Sequence, residues 1–272
     1  TAKGLRFALA AGLDDPRALL PAMSAASPAG PWLPQISIPT TLSGAEYTRS
    51  FSATDRAAGD KRSHTHSMLA STAIVYDPLV TAVTPAALWL GSGLVALDHA
   101  LEVYVVSAPH PVADALKRDA ALTLWQRLAA SRPPAATADR LTCQLAGWMA
   151  DHSPLRTRAA GGAGTPWSHL LAYDLAALTG VSYAVTAALT LARSLRLLAE
   201  LPACSARQHT LATALGVDGP LANAVEAFVA GLGLPTTPEQ AGLSPTDLYA
   251  VAEAAARRGQ VSTSDCLRVL GA

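Results

Sequence analysis

The chain is poor in cysteine, in aromatic side chains and in charge. Its 272 residues include three cysteines, with 5% aromatic and 15% charged residues. Cys143, Cys204 and Cys266 are odd in number and far apart, so they fit neither a zinc spacing nor a disulfide framework. Such usage points to a reducing, cytoplasmic setting. Lysine plus arginine and aspartate plus glutamate stand at 20 each. Without a basic surplus or a basic cluster, nucleic acid and membrane surfaces are not expected partners. No Gly-x-Ser-x-Gly elbow occurs and His99 has no marked partner in the sequence, which argues against a serine or cysteine nucleophile. The opening residues show no signal-peptide pattern.

Apolar residues are abundant, making up 50% of the chain, ample material for a core. One run, LLAYDLAALTGVSYAVTAALTLA at 170–192, is long enough to span a bilayer. It contains Asp174 and Gly180, so it reads instead as two helices buried inside a helical domain.

Residues 1–84 read as α/β. TAKGLRFALAAGL is an amphipathic helix ending near Gly12, and ASPAGPWLP is a loop leading into the short strand QISIP. STAIVYDP is a second strand whose continuous apolar run suits coverage on both faces. Residues 46–66 form a polar hairpin with a Gly-Asp turn at 59–60. From Thr84, an expected N-cap before Pro85, helical patterning dominates. Ser244 caps a later helix, with Asp247 in its first turn. No internal repeat is evident. The expected architecture is an α/β unit over 1–84 followed by an all-helical domain over 85–272.

Four stretches carry candidate chemistry. IPTTLSGAE (38–46) is a strand followed by a turn whose hydroxyls and amides suit a phosphate, or simply a polar turn. HTH (64–66) resembles a metal pair, but no nearby acid or cysteine completes the set, so surface histidines are expected. In GLVALDHALEVY (93–104), His99 lies four residues after Val95, the helical spacing at which a metal site carries a carboxylate and an imidazole. Asp98 points well away from His99 at about 100° per residue, while Glu102 lies nearer. In SHLLAYDLAALTGVSY, His169 and Tyr173 share a helical face, and Tyr183 follows the break at Gly180. On spacing alone these residues are structural.

Together these stretches resemble the iron-containing alcohol dehydrogenase superfamily, and within it the maleylacetate reductase branch. IPTTLSGAEYT is similar to that family's Pro-Thr-Thr-x-x-Gly-Ser-Glu-x-Thr segment, with Ala45 where serine is usual. AGDKR resembles its hairpin lysine, Lys61. IVYDPLVT, ending at Thr81, and SGLVALDHALE resemble two further segments, so the resemblance runs along the whole chain. It implies the C-terminal part of a dinucleotide-binding α/β domain followed by an all-α domain, a dehydroquinate synthase-like arrangement.

The departures are informative. Metal-dependent members use one aspartate and three histidines, and these positions fall on Val95, His99, His169 and Tyr183. Valine has no donor atom and a neutral phenol is a poor ligand, so no catalytic metal is expected. Maleylacetate reductases also lack the aspartate and work without metal. The family's glycine-rich pyrophosphate loop is absent from these residues. The remaining sheet would have its edges and apolar faces uncovered. It is expected to need a second polypeptide supplying the N-terminal cofactor segment, through cleavage or a separate gene, unless the chain is a piece of a longer protein.

The resemblance implies a metal-independent, NADH- or NADPH-using reductase acting on a small molecule in a cleft between the two domains. Thr40, Thr41, Ser43, Lys61 and Thr81 would contact cofactor. His99, His169, Tyr173 and Tyr183 would orient a carbonyl and donate the proton. An even-numbered assembly, such as a dimer, follows from the family. The alternative is a repurposed scaffold, either a cyclase, isomerase or dehydratase on a small natural-product-like substrate, or a non-catalytic subunit.

Overall fold

The structure, a computed structural model, describes residues 2–24, 28, 30–55, 60–132, 137–151, 164–259 and 261–272. It divides into two compact units, Thr1–Pro39 with Gly44–Asp77, and Thr40–Ser43 with Pro78–Ala272. The expected boundary at 84/85 therefore lies at 77/78, and the PTT-turn residues 40–43 belong with the helices. They do so because Leu42 N–H donates to the Ser92 hydroxyl at 3.0 Å and the Thr84 hydroxyl donates to Thr40 O at 2.9 Å.

The first unit contains α1 (Ala2–Ala10), α2 (Leu19–Met23), β1 (Ile36–Ser37), β2 (Ser50–Asp55), β3 (Asp60–Thr65) and β4 (Ala73–Ile74). Phe7, Met23, Phe51 and Leu69 make its small core. Two cationic side chains on α1 are buried because backbone oxygens receive them. Lys3 Nζ donates to Ala45 O at 2.6 Å, and Arg6 donates through Nε to Leu33 O and through a terminal nitrogen to Met68 O, both at 2.7 Å. β2 and β3 form the expected hairpin, with Ser52 opposite Ser63; Gly59 of the expected turn lies outside the described residues.

QISIP and STAIVYDP do pair, but only as a two-residue parallel ladder, Ile36 opposite Ala73 and Ser37 opposite Ile74. Ile36 is 68% and Ile38 53% exposed, so the expected coverage on both faces is not provided by the described residues of this unit. The HTH histidines also differ from expectation. His64 packs 4.6 Å from Phe7 with Nδ1 3.0 Å from Met23 O, and His66 stacks on Trp32 at 4.7 Å. The i, i+2 spacing is real, but aromatic packing occupies both rings.

The second unit holds α3 (Pro78–Thr81), α4 (Ala86–Val106), α5 (Pro111–Arg127), α6 (Thr137–Asp151), α7 (Trp167–Thr179), α8 (Tyr183–Leu198), α9 (Pro202–Leu215), α10 (Leu221–Gly231), α11 (Pro245–Gly259) and α12 (Thr263–Leu270). The 170–192 run is two helices, parted at Gly180, whose φ of 75° suits glycine. α4 is the one described helix long and apolar enough to cross a membrane, and 72% of its apolar window is buried inside the protein. It contacts α5, α6, α8 and α9, which explains a sequence apolar on every face. Thr84 is not its cap. Pro85 stands at that position without a side-chain bond, and the Thr84 hydroxyl goes to Thr40 O. The Ser244 cap is present, with Asp247 N–H donating to Ser244 Oγ at 3.2 Å and Ser244 N–H to Asp247 Oδ2 at 2.9 Å.

Two features fix how α4 meets α7 and α8. The first is close approach: a Cβ on Gly91 would stand 2.5 Å from the Ala184 methyl, which cannot rotate away. The second is a buried polar seam. Glu102 of α4 accepts from Ser168 N–H at 2.8 Å, His169 N–H at 3.2 Å and the Ser194 hydroxyl of α8. Asp98, one turn earlier, accepts from the Ser168 hydroxyl at 2.7 Å. Burial first, then the charge of Glu102, push the Asp98 carboxyl up to about 7, against opposing pulls from His169 and the Ser168 hydroxyl.

Two outcomes follow. Gly91→Ala is expected to cost on the order of 1–3 kcal/mol in thermal or urea unfolding, with Ala184→Gly in the same chain recovering most of it. No recovery in the double variant would sink the close-approach account. A carboxyl whose folded pKa exceeds its unfolded value of about 3.9 favours folding fully below that value, and this contribution disappears as pH rises through the folded pKa. Asp98 should therefore lower stability as pH rises from ~4 to ~8, and Asp98→Asn should flatten that slope. Equal slopes for wild type and variant in urea unfolding would contradict it.

Candidate active site

α7 begins at Trp167 behind Pro166, whose side chain makes no capping bond. The amides of Ser168 and His169, left over at the start of the helix, are received by Glu102, which is fully buried. A carboxylate at this end of a helix is also favoured by the helix dipole. The same carboxylate reaches the His169 ring, with Oε2 3.2 Å from Nδ1. One contact therefore starts the helix and orients the imidazole.

His99 and His169 are brought together, their ring centroids 4.3 Å apart and tilted by 34°. Each ring faces a carboxylate through Nδ1. For His99 it is Asp151, the last described residue of α6, with Oδ1 at 3.5 Å. The His99 and His169 side chains are 15% and 32% exposed, against 4% for Asp151 and none for Glu102, so the rings are accessible and the acids behind them are not. Sequence reading misses Asp151 and gives Glu102 only a position near the His99 face. The available signal is an acid in the otherwise apolar run LAGWMAD.

The two tyrosines gather around another group. Arg258 lies over the Tyr173 ring at 4.9 Å and donates to Asp174 and to Leu170 O. Burial, then neighbouring Tyr173, raise the Tyr183 phenol above its ordinary range, with Arg258 opposing. Tyr183 is therefore neutral at physiological pH, although its side chain is half-exposed.

The expected cofactor residues divide as well. Thr41 and Ser43 hydroxyls lie 3.1 Å apart, and Thr40 is exposed beside them. The Lys61 side chain lies outside the described residues. Thr81 is fully buried; its hydroxyl donates to Pro78 O at 2.8 Å and its carbonyl accepts from Arg140. It holds α3 against α6, so the expected cofactor contact at Thr81 is corrected to a packing role.

The residues do not fit the family's four-ligand metal set. Val95, 8% exposed, offers no donor, and Tyr183 keeps its proton. A different trio, Asp98, Glu102 and His169, places donor atoms within 4.8 Å of one another. Asp98 thus reaches His169 even though it turns from His99, a meeting that the helical angle alone does not anticipate. Both Glu102 oxygens already accept bonds, so an ion there would have to break the start of α7. Asp98 Oδ1 is buried and without a hydrogen-bond partner among the described residues, in keeping with a carboxyl whose pKa burial raises.

Comparison with known proteins agrees with this architecture. The family model for the Fe-containing alcohol dehydrogenase family, C-terminal, matches residues 90–265. A stretch of 70 residues, 26% of this chain and 18% of the relative, is 41% identical to a dehydrogenase of Alternaria alternata. Maleylacetate reductase 1 of Cupriavidus pinatubonensis is 25% identical over 83% of this chain and 61% of its own. The solved maleylacetate reductase of Rhizobium sp. strain MTP-10005 has a TM-score of 0.74 at 25% identity, over 88% of this chain and 66% of its own. The chain thus spans under two thirds of the length of each of these relatives. With the family model covering most of its helical unit, the chain belongs to the iron-containing alcohol dehydrogenase family.

Proposed function

We propose that the chain is the C-terminal part of a metal-independent, NAD(P)H-using reductase resembling maleylacetate reductase. The observation that carries this reading is the pair His99 and His169, each backed by a buried carboxylate, beside an apolar Val95. A bound nicotinamide dinucleotide would supply the hydride to a carbonyl carbon or an activated C=C. The two imidazoles hold the substrate oxygen, and one of them delivers the proton that completes the reduction. Histidine suits this near neutral pH, whereas a neutral tyrosine serves as a hydrogen-bond donor. Tyr173 and Tyr183 take that second role. Thr40, Thr41, Ser43 and Lys61 contact the cofactor.

The pyrophosphate loop and the remaining strands of the cofactor domain lie outside these residues and would complete the sheet. Supporting this, β1 and β4 form a parallel ladder, a type that is normally buried, yet Ile36, Ile38, Leu5 and Leu9 are exposed. The apolar Val95 also favours a less polar pocket, as a non-redox enzyme on the same scaffold would need.

The protein with its cofactor domain complete should quench NADH or NADPH fluorescence and reduce an unsaturated keto acid. His169→Gln should lower kcat by about 100-fold or more while nucleotide still binds. Failure to bind either nucleotide at millimolar concentration excludes the reductase and leaves the non-redox reading. Dialysis against a chelator should leave activity unchanged, and elemental analysis should find far less than stoichiometric metal. One equivalent of divalent ion per chain, lost together with activity, would overturn metal independence.

A further inference from the structure

We propose that Asp151 is the positioning residue of His99, fixing which ring nitrogen carries the proton. Asp151 Oδ1 stands 3.5 Å from His99 Nδ1, and the acid is 4% exposed. Burial removes the water that would otherwise soften the cost of its charge, and His99 is an imidazole that this carboxylate faces.

The arrangement mirrors the neighbouring one, in which Glu102 meets Nδ1 of His169 at 3.2 Å. A carboxylate at Nδ1 holds a hydrogen on that nitrogen, so Nε2 is left as the ring nitrogen for chemistry. With the rings 4.3 Å apart, a flip of either one disturbs the other, so each acid also protects its neighbour's alignment. Asp151 and Glu102 reach the pair from different helices, α6 and α4, which makes the pair rigid. Asp151 touches no substrate; it acts through His99.

The role rests on the reductase reading for its rate measurement only, because the tautomer is read independently. In protein labelled with 15N-histidine, His99 signals, identified by their loss in His99→Gln, should show hydrogen on Nδ1. Asp151→Asn presents an amide that can donate to the ring, so the signals should move toward the Nε2–H form. In the assembled protein kcat should fall about 10- to 100-fold with KM little changed. Asp151→Glu, which keeps the carboxylate, should recover part of both effects. Wild-type His99 found as the neutral Nε2–H tautomer overturns the proposal, even if no variant folds. So does a folded Asp151→Asn protein with unchanged His99 signals. If no substrate is reduced by wild type while the signals shift as expected, the reductase reading fails and the positioning role stands.

Discussion

The helical unit depends on one buried carboxylate placed at the start of a helix. Pro166 cannot cap α7 with its side chain, and the amides of Ser168 and His169 would otherwise be buried without acceptors. Each unmet buried donor costs on the order of 1–3 kcal/mol, comparable to a large share of the stability of a domain. Glu102 receives both amides and the Ser194 hydroxyl, so it ties α4, α7 and α8 at one point. Hydrophobic packing makes the same three helices adjacent, but packing tolerates small slips. A carboxylate held by directional bonds does not.

That constraint reaches the candidate site directly. His169 gives Glu102 both its backbone amide and a ring nitrogen, so the imidazole cannot turn without loosening the start of α7. Burial first, and then the charge of Glu102 one turn away, lift the Asp98 carboxyl to about 7. Asp98 has one hydroxyl donor and an oxygen without a hydrogen-bond partner among the described residues, so little opposes that lift.

Much of the fold can be read locally. Gly180 between two apolar runs, the Ser244–Asp247 cap and the alternating hairpin each carry their cause within a few residues. The meeting of His99 with His169 is readable through the order of several motifs. What stays hidden requires knowing what lies opposite. Asp151 looks like any acid on a helix until α6 is seen to deliver it to His99. His64 and His66 read as surface residues because nothing in the sequence places Phe7 and Trp32 against them. Thr81 looks like part of a binding motif, yet its hydroxyl is consumed by its own turn. The helical angle of Asp98 to His99 says nothing of its partners, which lie on α7.

Valine at position 95 can be understood by counting charge. Asp98, Glu102 and Asp151 already place three buried acids around two imidazoles. Burial and the charge of Glu102 raise the Asp98 carboxyl to about 7, a sign that acids already crowd this interior. A further carboxylate at 95, itself buried, would add to that crowding, and an uncompensated buried charge costs several kcal/mol. The apolar side chain adds none. Val95 and Asp151 are thus two parts of the same arrangement, one withholding an acid from the pair and the other supplying one behind it.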